Sequence, residues 1–452
     1  MKKNVIYIHT HDSGIYFQPY GISINTPNLD AFAKDAICFD QAYCCSPTCS
    51  PSRASLLTGR YPHTNGMLGL GNRGFQIHDY GTHLVQRLNH EGYHTVLCGV
   101  QHEYGRYKDH QGGAAIIGYQ ENITTDCQGY QDKDLVQWDE HNTSALCDWL
   151  NENKTEPFFI SMGFFSTHRE YPDIQVHDET LRDIKLPAFL EDTMEVRKDF
   201  AGHMQSAKLF DQNFGRIITK LKETGHYDDT LIIFTTDHGV PYPFAKCTLY
   251  DSGIHVALIM RDPDASIKGI HYPGLISHID VAPTICDLIG ISKDEGYQGK
   301  SFAKVFDDIK CQSDEAIYAE INFHTSYEPA RCVRTKDYKL ICYYDDYVQI
   351  NKSNIDNSPT KQYYMEKGML DQKKPNVALY DLLKDPLEKH NVVDDPTYQE
   401  IYQMMMQKLN IWQLTYQDME LPLPKTQWAE NWQVNQPTCI DPKSKREEDF
   451  IQ

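Results

Sequence analysis

Cys49 heads the segment Cys49-Ser50-Pro51-Ser52-Arg53-Ala54-Ser55-Leu56-Leu57-Thr58-Gly59-Arg60. Pro51 fits the first turn of a helix, and Ser50 or Ser52 can cap it. Cys49 then sits at a helix N-terminus, where unpaired backbone N–H groups and the helix dipole favour an anion. Arg53, one turn on, faces the same way and adds a fixed cation. Three chemistries suit a cysteine so placed. With Cys44 and Cys45 it could ligate zinc, although no second cysteine pair follows at structural-zinc spacing. It could be an inert buried thiol, the usual fate of a cysteine, or a thiolate nucleophile of lowered pKa.

Cys49-x-Pro51-Ser52-Arg53 followed by Leu57-Thr58-Gly59-Arg60 resembles the signature of the sulfatase family. The resemblance implies that Cys49 is oxidised to formylglycine, whose hydrated aldehyde is the nucleophile. It also implies a maturation partner, either a formylglycine-generating enzyme or an anaerobic sulfatase-maturating enzyme. Two further segments resemble the family's metal ligand pairs. In His9-Thr10-His11-Asp12-Ser13-Gly14, Asp12 matches a family aspartate, and His11 replaces a second one. In Thr235-Thr236-Asp237-His238-Gly239 the pair is Asp237 and His238. The family implies Ca²⁺; imidazoles among the donors soften the site, so Mg²⁺, Mn²⁺ and Zn²⁺ are the alternatives. Taken alone, an aspartate after a strand is often only a turn or helix cap.

The same resemblance assigns further roles. Lys246, in Lys246-Cys247-Thr248-Leu249-Tyr250-Asp251, matches the lysine that binds sulfate oxygens; a lone lysine is usually just solvated. His168 matches the histidine that protonates the leaving group, and His102 the one that helps resolve the sulfated intermediate. Most loop histidines are merely hydrogen-bonded. Val100 stands where the family carries a lysine, so one sulfate-binding cation is missing or is supplied by another residue such as Arg106. The stretch from Glu320 to Thr335 resembles the heparan N-sulfatase (sulfamidase) branch and offers His324 and Arg331 as substrate-binding residues. The implied substrate is a small sulfated saccharide, with N-sulfoglucosamine the favoured sugar. Two rival readings stand beside it: a phosphonate or phosphodiester hydrolase of the same superfamily, and a non-catalytic glycan-binding relative.

Such distant segments can meet only on a shared scaffold. Asn4 to Ile8, Thr95 to Gly99, Pro157 to Gly163 and Leu231 to Phe234 are short apolar runs that end in polar residues, as buried strands do. Val196 to Thr224 repeats apolar residues at helical spacing and stops before Gly225. Alternating strands and helices predict a large mixed or parallel sheet sandwiched by helices, which the resemblance makes alkaline phosphatase-like. Ligand groups in such folds gather at the carboxyl ends of strands. After about residue 310 the pattern changes. Strands at Ala316 to Ile321, Cys332 to Thr335 and Tyr338 to Tyr344 precede a helix from Pro396 to Trp412. These predict a smaller C-terminal α+β domain with an antiparallel sheet, dividing the chain at 1–310 and 311–452. The tail from Gln413, rich in Pro, Gln and Trp, is expected to wrap the surface.

The 452 residues suffice for one large and one smaller domain. Their formal net charge of −20 disfavours nucleic acid and anionic membranes as partners. It also repels a sulfated substrate, which must be drawn in by local cations. The apolar run after Met1-Lys2-Lys3 ends at Ile8, too short for an export signal. With 13 cysteines, an odd number, reduced thiols in the cytoplasm are the expectation.

Overall fold

The side chains of Val5 and Tyr7 enter one apolar cluster, and those of Ile6 and Ile8 enter another. Leu231 and Ile233 divide from Ile232 and Phe234 in the same way. Side chains alternate across a strand, so a strand apolar on both faces must lie inside a sheet that is covered on both sides. The computed structural model has this sheet. It describes residues 2–105, 108, 113–152, 157–175, 178–311 and 314–451.

The first sheet contains β1 (Asn4–Thr10), β2 (Ile37–Tyr43), β3 (His94–Gly99), β4 (Glu121–Asn122), β5 (Phe158–Gly163), β6 (Thr230–Thr236), β7 (Leu258–Arg261) and β8 (Ile270–Ser277). Their spatial order is β4-β3-β5-β1-β6-β7-β2-β8. All pairings are parallel except those of β7, which runs antiparallel to β6 and β2. The 30-residue helix Met194–Glu223 covers one face, burying Phe200, Phe210, Phe214 and Ile217. Thr193 caps its start by accepting from the backbone N–H of Val196.

Register decides what meets at the strand ends. Thr10 on β1 pairs with Thr236 on β6, so His11-Asp12 and Asp237-His238 leave the sheet side by side. Gly99 on β3 pairs with Gly163 on β5, which brings the segments carrying His102 and His168 to the same edge. No side chain fits at this crossing. A Cβ on Gly99 would lie 2.1 Å from the Gly163 carbonyl oxygen, and one on Gly163 1.9 Å from that of Val100.

A second, antiparallel sheet follows: β9 (Ala316–Phe323), β10 (Tyr327–Thr335), β11 (Tyr338–Tyr343) and β12 (Val377–Asp381), in the order β12-β11-β10-β9. The helix Gln399–Thr415 packs Met405, Leu409 and Trp412 against Val333 and Leu340 of this sheet. The predicted helix start at Pro396 is a separate short 3-10 turn, Pro396–Tyr398. None of the cysteines is in a disulfide. Among the described residues, no helix is long and apolar enough to cross a membrane.

Candidate active site

The helix Cys49–Thr58 begins where the sequence places it, but its cap differs. Thr48 holds the N-cap position, with no side-chain cap bond. Ser50 Oγ instead accepts from the Gly71 N–H at 3.0 Å, and Ser52 Oγ donates to the Asp237 carbonyl at 2.5 Å. Both serines therefore fasten the helix mouth to neighbouring loops. Gly59 ends the helix in the left-handed conformation, at φ +61°.

Cys49 Sγ lies 3.3 Å from His238 Nε2 and 4.0 Å from Asp12 Oδ1. Ligand-capable atoms of His11, Asp12, Cys49 and Asp237 all fall within 4.8 Å of one another, and every one of these residues is buried. Asp237 links the group: its Oδ1 accepts from the Asp12 and His238 backbone N–H groups at 2.8 and 2.9 Å, and its Oδ2 accepts from Arg53 Nη2 at 3.0 Å. Arg53 also donates to the Thr10 carbonyl at 2.9 Å and touches His9 Nδ1. Asp12 adopts φ +48° and His102 φ +62°, conformations that non-glycine residues hold mainly where surrounding structure enforces them.

The residues fit a divalent ion. Two buried carboxylates and two imidazoles converge, and neither ring nitrogen of His11 makes a well-formed hydrogen bond, although Nδ1 lies 3.0 Å from Asp237 Oδ2. Burial, and then the charge of Arg53, hold His11 well below the usual imidazole range, leaving it neutral and able to ligate. Burial would raise Asp237, but His238 and Arg53 overcome it and keep the carboxylate ionised. Cys44 and Cys45 belong to no metal-competent cluster among the described residues; Cys45 Sγ pairs with Ser277 Oγ at 3.3 Å.

Burial pushes the Cys49 thiol well above its ordinary value, against the opposing pull of Lys246 and Arg53. The unmodified side chain is therefore a protonated, weak nucleophile. Lys246 Nζ contacts Asp12 Oδ2 and Asp356 Oδ2, each at 2.9 Å. Burial alone would lower this lysine, yet the two carboxylates hold it well above the usual range. His168 Nε2 stands 3.9 Å from Asp12 Oδ2, and its Nδ1 engages the Arg169 carbonyl. Burial holds its ring below the ordinary value. His102 Nε2 lies 3.3 Å from Asn72 Oδ1.

A cavity of ≈ 760 Å³ opens over Cys49, with His102, His168, Lys246 and His324 in its wall. Arg53, 1 % exposed, lies behind the wall. Val100 is buried among Leu135, Trp138 and Phe165, so the position where a lysine was missed is filled by apolar packing. Arg106 lies outside the described residues; Lys108 lines the cavity. Asp356 carried no recognisable pattern in the sequence, and the tail's composition placed it on the surface but not at this cavity.

Arg331 departs from the substrate-binding role expected of it. Its guanidinium is fully buried and bonded to both Asp418 oxygens at 2.8 and 2.9 Å, with Glu320 Oε2 at 3.8 Å and Asn322 Oδ1 at 3.0 Å. His63 pairs with Glu320 in the same cluster. Burial would lower His63, but Glu320 and Asp418 raise it, so two cations balance two carboxylates. The cluster joins the segment Pro62–Asn65, the second sheet and the tail. Arg331→Met is expected to destabilise the protein by about 3–5 kcal/mol, because it strands buried carboxylates; denaturant unfolding of both proteins measures this.

Comparison with known proteins bears on the whole chain. A family model described as Sulfatase matches residues 3–291, and one described as N-sulphoglucosamine sulphohydrolase, C-terminal, matches residues 237–374. An ulvan-active sulfatase of Formosa agariphila is 26% identical, over 98% of this chain and 80% of its own length. The N-sulphoglucosamine sulphohydrolase of Homo sapiens is also 26% identical, over 91% of this chain and 90% of its own. A solved structure in complex with its substrate D-glucosamine-2-N,6-O-disulfate superposes with TM-score 0.69 at 19% identity, covering 93% of this chain and 99% of that one. The phosphonate monoester hydrolase of Agrobacterium radiobacter shares the fold at TM-score 0.68 and 19% identity, over 92% and 96% of the two chains.

Proposed function

The chain belongs to the sulfatase family, a family of hydrolases, and from that premise we propose that it removes sulfate from a small sulfated saccharide, with an N-sulfated amino sugar such as N-sulfoglucosamine as the favoured substrate. The observation that carries the reading is the convergence of two distant strand-end pairs, His11-Asp12 and Asp237-His238, on the side chain of Cys49. The C-terminal match to N-sulphoglucosamine sulphohydrolase over residues 237–374 and the human relative of that name support the choice of sugar.

Asp12, Asp237, His11 and His238 would hold the metal, which supplies Lewis-acid stabilisation of charge on the sulfuryl oxygens. Formylglycine at position 49 would supply a hydrated aldehyde, one hydroxyl to attack sulfur and one to expel sulfate. The remaining work falls to this chain's own groups. Lys246, held in the cavity wall by Asp12 and Asp356, presents a fixed ammonium to the sulfate. Arg53, held by Asp237 and the Thr10 carbonyl, sets positive potential beneath position 49. His168, its Nδ1–H held by the Arg169 carbonyl, delivers a proton to the departing oxygen or nitrogen from Nε2 only in its imidazolium form, and His102 accepts one as the sulfate is released.

Mass spectrometry of the peptide spanning position 49, together with parallel assays on aryl sulfate, sulfamate and phosphodiester substrates, tests the reading. The expected outcome is an aldehyde at position 49 and turnover of the sulfated substrates. A persistent thiol in the native host identifies a glycan-binding relative instead. Faster phosphodiester than sulfate turnover assigns the site to phosphoryl chemistry.

A further inference from the structure

Among the described residues the cavity wall carries six lysine and arginine side chains against three carboxylates, in a chain whose formal net charge is −20. Pairing decides which of those cations retain attraction for a ligand. Lys246 is matched by Asp12 and Asp356. Arg169 forms a two-pronged pair with Asp199 at 2.6 and 2.9 Å. Lys108 lies 3.2 Å from Asp132, and Lys443 reaches Asp132 and Glu170 at 3.3 and 3.5 Å.

Arg73 and Lys445 are different. Arg73 is 9 % exposed, yet its bonds go to neutral acceptors: Nη1 donates to the Gln433 carbonyl and Asn435 Oδ1, both at 3.0 Å, and Nη2 to the Pro442 carbonyl at 2.7 Å. Among the described residues no carboxylate lies within ion-pair distance of Arg73 or of the exposed Lys445. A buried guanidinium is ordinarily matched by an anion. Here carbonyl groups fix its plane without cancelling its charge, and Nε–H and one Nη2–H remain without a hydrogen-bond partner among the described residues.

The tail brings these groups to the cavity. The Asn435 N–H donates to the Thr325 carbonyl at 2.7 Å, and the Ile451 N–H to the Val434 carbonyl at 2.8 Å, which folds the stretch between them into a closed loop. Lys443 fastens that loop across the mouth by its contacts to Asp132 and Glu170. Arg73 sits in the short turn Gly71–Arg73, whose Gly71 N–H donates to Ser50 Oγ in the Cys49 helix. The turn therefore couples the tail directly to the helix that carries position 49.

We infer that Arg73 and Lys445 form a second anion subsite at the cavity mouth, which grips a further sulfate or carboxylate of the saccharide while the group to be cleaved lies against Cys49 and Lys246. The inference rests on the proposed saccharide substrate. It makes the preferred ligand a sugar with at least two anionic groups, and it gives the tail a part in choosing it. A planar guanidinium held by carbonyls suits two-pronged recognition of an oxyanion.

The experiment measures binding calorimetrically, using full-length Cys49→Ala protein so that turnover plays no part. The ligands are glucosamine N-sulfate, glucosamine N,6-disulfate, and N-sulfoglucosamine linked to a uronate. At least one doubly anionic ligand should bind about fivefold or more tightly than the single sulfamate. Whichever it is tells sulfate from carboxylate. Adding Lys445→Ala, or Arg73→Gln, should reduce that ratio to about one; because Arg73 also anchors the tail, the lysine variant carries the test if the arginine variant misfolds. Equal affinity for all three ligands overturns the subsite alone. Binding of none of them overturns the substrate class and the subsite with it.

Discussion

Cys49→Ala abolishes turnover: kcat is expected to fall by at least about 10⁴-fold, the scale at which loss of a nucleophile leaves only residual binding and electrostatic effects. The size of the effect follows from the surroundings. In the proposed mechanism every other group near position 49 acts on a bond that this side chain must first form: Lys246 and Arg53 would stabilise charge, and His168 and His102 would move protons, but none of them could replace it. The fold should tolerate the change. Cys49 is 2 % exposed, sits in the first turn of its helix and makes no bond that holds the helix in place; Ser50 and Ser52 do that. Steady-state assays on an aryl sulfate, paired with a thermal melt, separate the two effects. A melt like that of the parent with no detectable turnover is the expected pair of results. Turnover within tenfold of the parent would remove Cys49 from the mechanism.

Much of this site was legible in the sequence because its parts are local. The Cys49 segment declares a helix start by Pro51, and the helix Cys49–Thr58 obeys; that it ends at Gly59 is a finding of the structure. The polar pairs after Ile8 and Phe234 follow apolar runs that alternate between two cores. What local pattern cannot supply is adjacency. Nothing in residues 4–10 or 230–236 says that these strands are neighbours with Thr10 opposite Thr236, yet that register alone brings Asp12 to Asp237. The antiparallel β7, only four residues long, was hidden for a related reason: its apolar residues do not encode direction.

Arg331 shows the opposite failure. A basic residue in a strand near a presumed sugar site reads as a ligand contact. Its role is set by Asp418, 87 residues away, and by Glu320 across the β9–β10 pairing. Charge alone does not distinguish a buried ion pair from a binding group; only the partner does. Asp356 lacks any pattern that sets it apart, and the composition of the tail from Gln413 implies a surface segment without saying where it lies; only the folded chain seats both in the cavity wall. The tail does wrap the molecule as its composition suggests, but it wraps the mouth of the site.

Asp237→Asn is expected to cost more than the loss of any single metal-binding contact, because this carboxylate serves two networks. Oδ1 receives the Asp12 and His238 N–H groups, and an asparagine oxygen can keep both. Oδ2 receives Arg53 Nη2 at 3.0 Å and faces His11 Nδ1 at 3.0 Å. There the asparagine NH₂ would oppose another donor, and Arg53 would be left as a buried cation with no carboxylate within ion-pair distance among the described residues. That loss should destabilise the protein by about 3 kcal/mol. Turnover should fall about 10³-fold, since a carboxylate ligand and the orientation of Arg53 are lost together. The two contributions can be told apart. Bound metal, measured by elemental analysis after dialysis, reports the ligand loss; denaturant unfolding in the presence of chelator reports the orphaned arginine. If the metal-free variant unfolds at the same denaturant concentration as the metal-free parent, Asp237 is a ligand only, and Arg53 must draw its compensation from elsewhere. If metal content is unchanged while stability falls, the carboxylate is a counter-ion to Arg53, and the ion must be held by Asp12 and the two histidines without it.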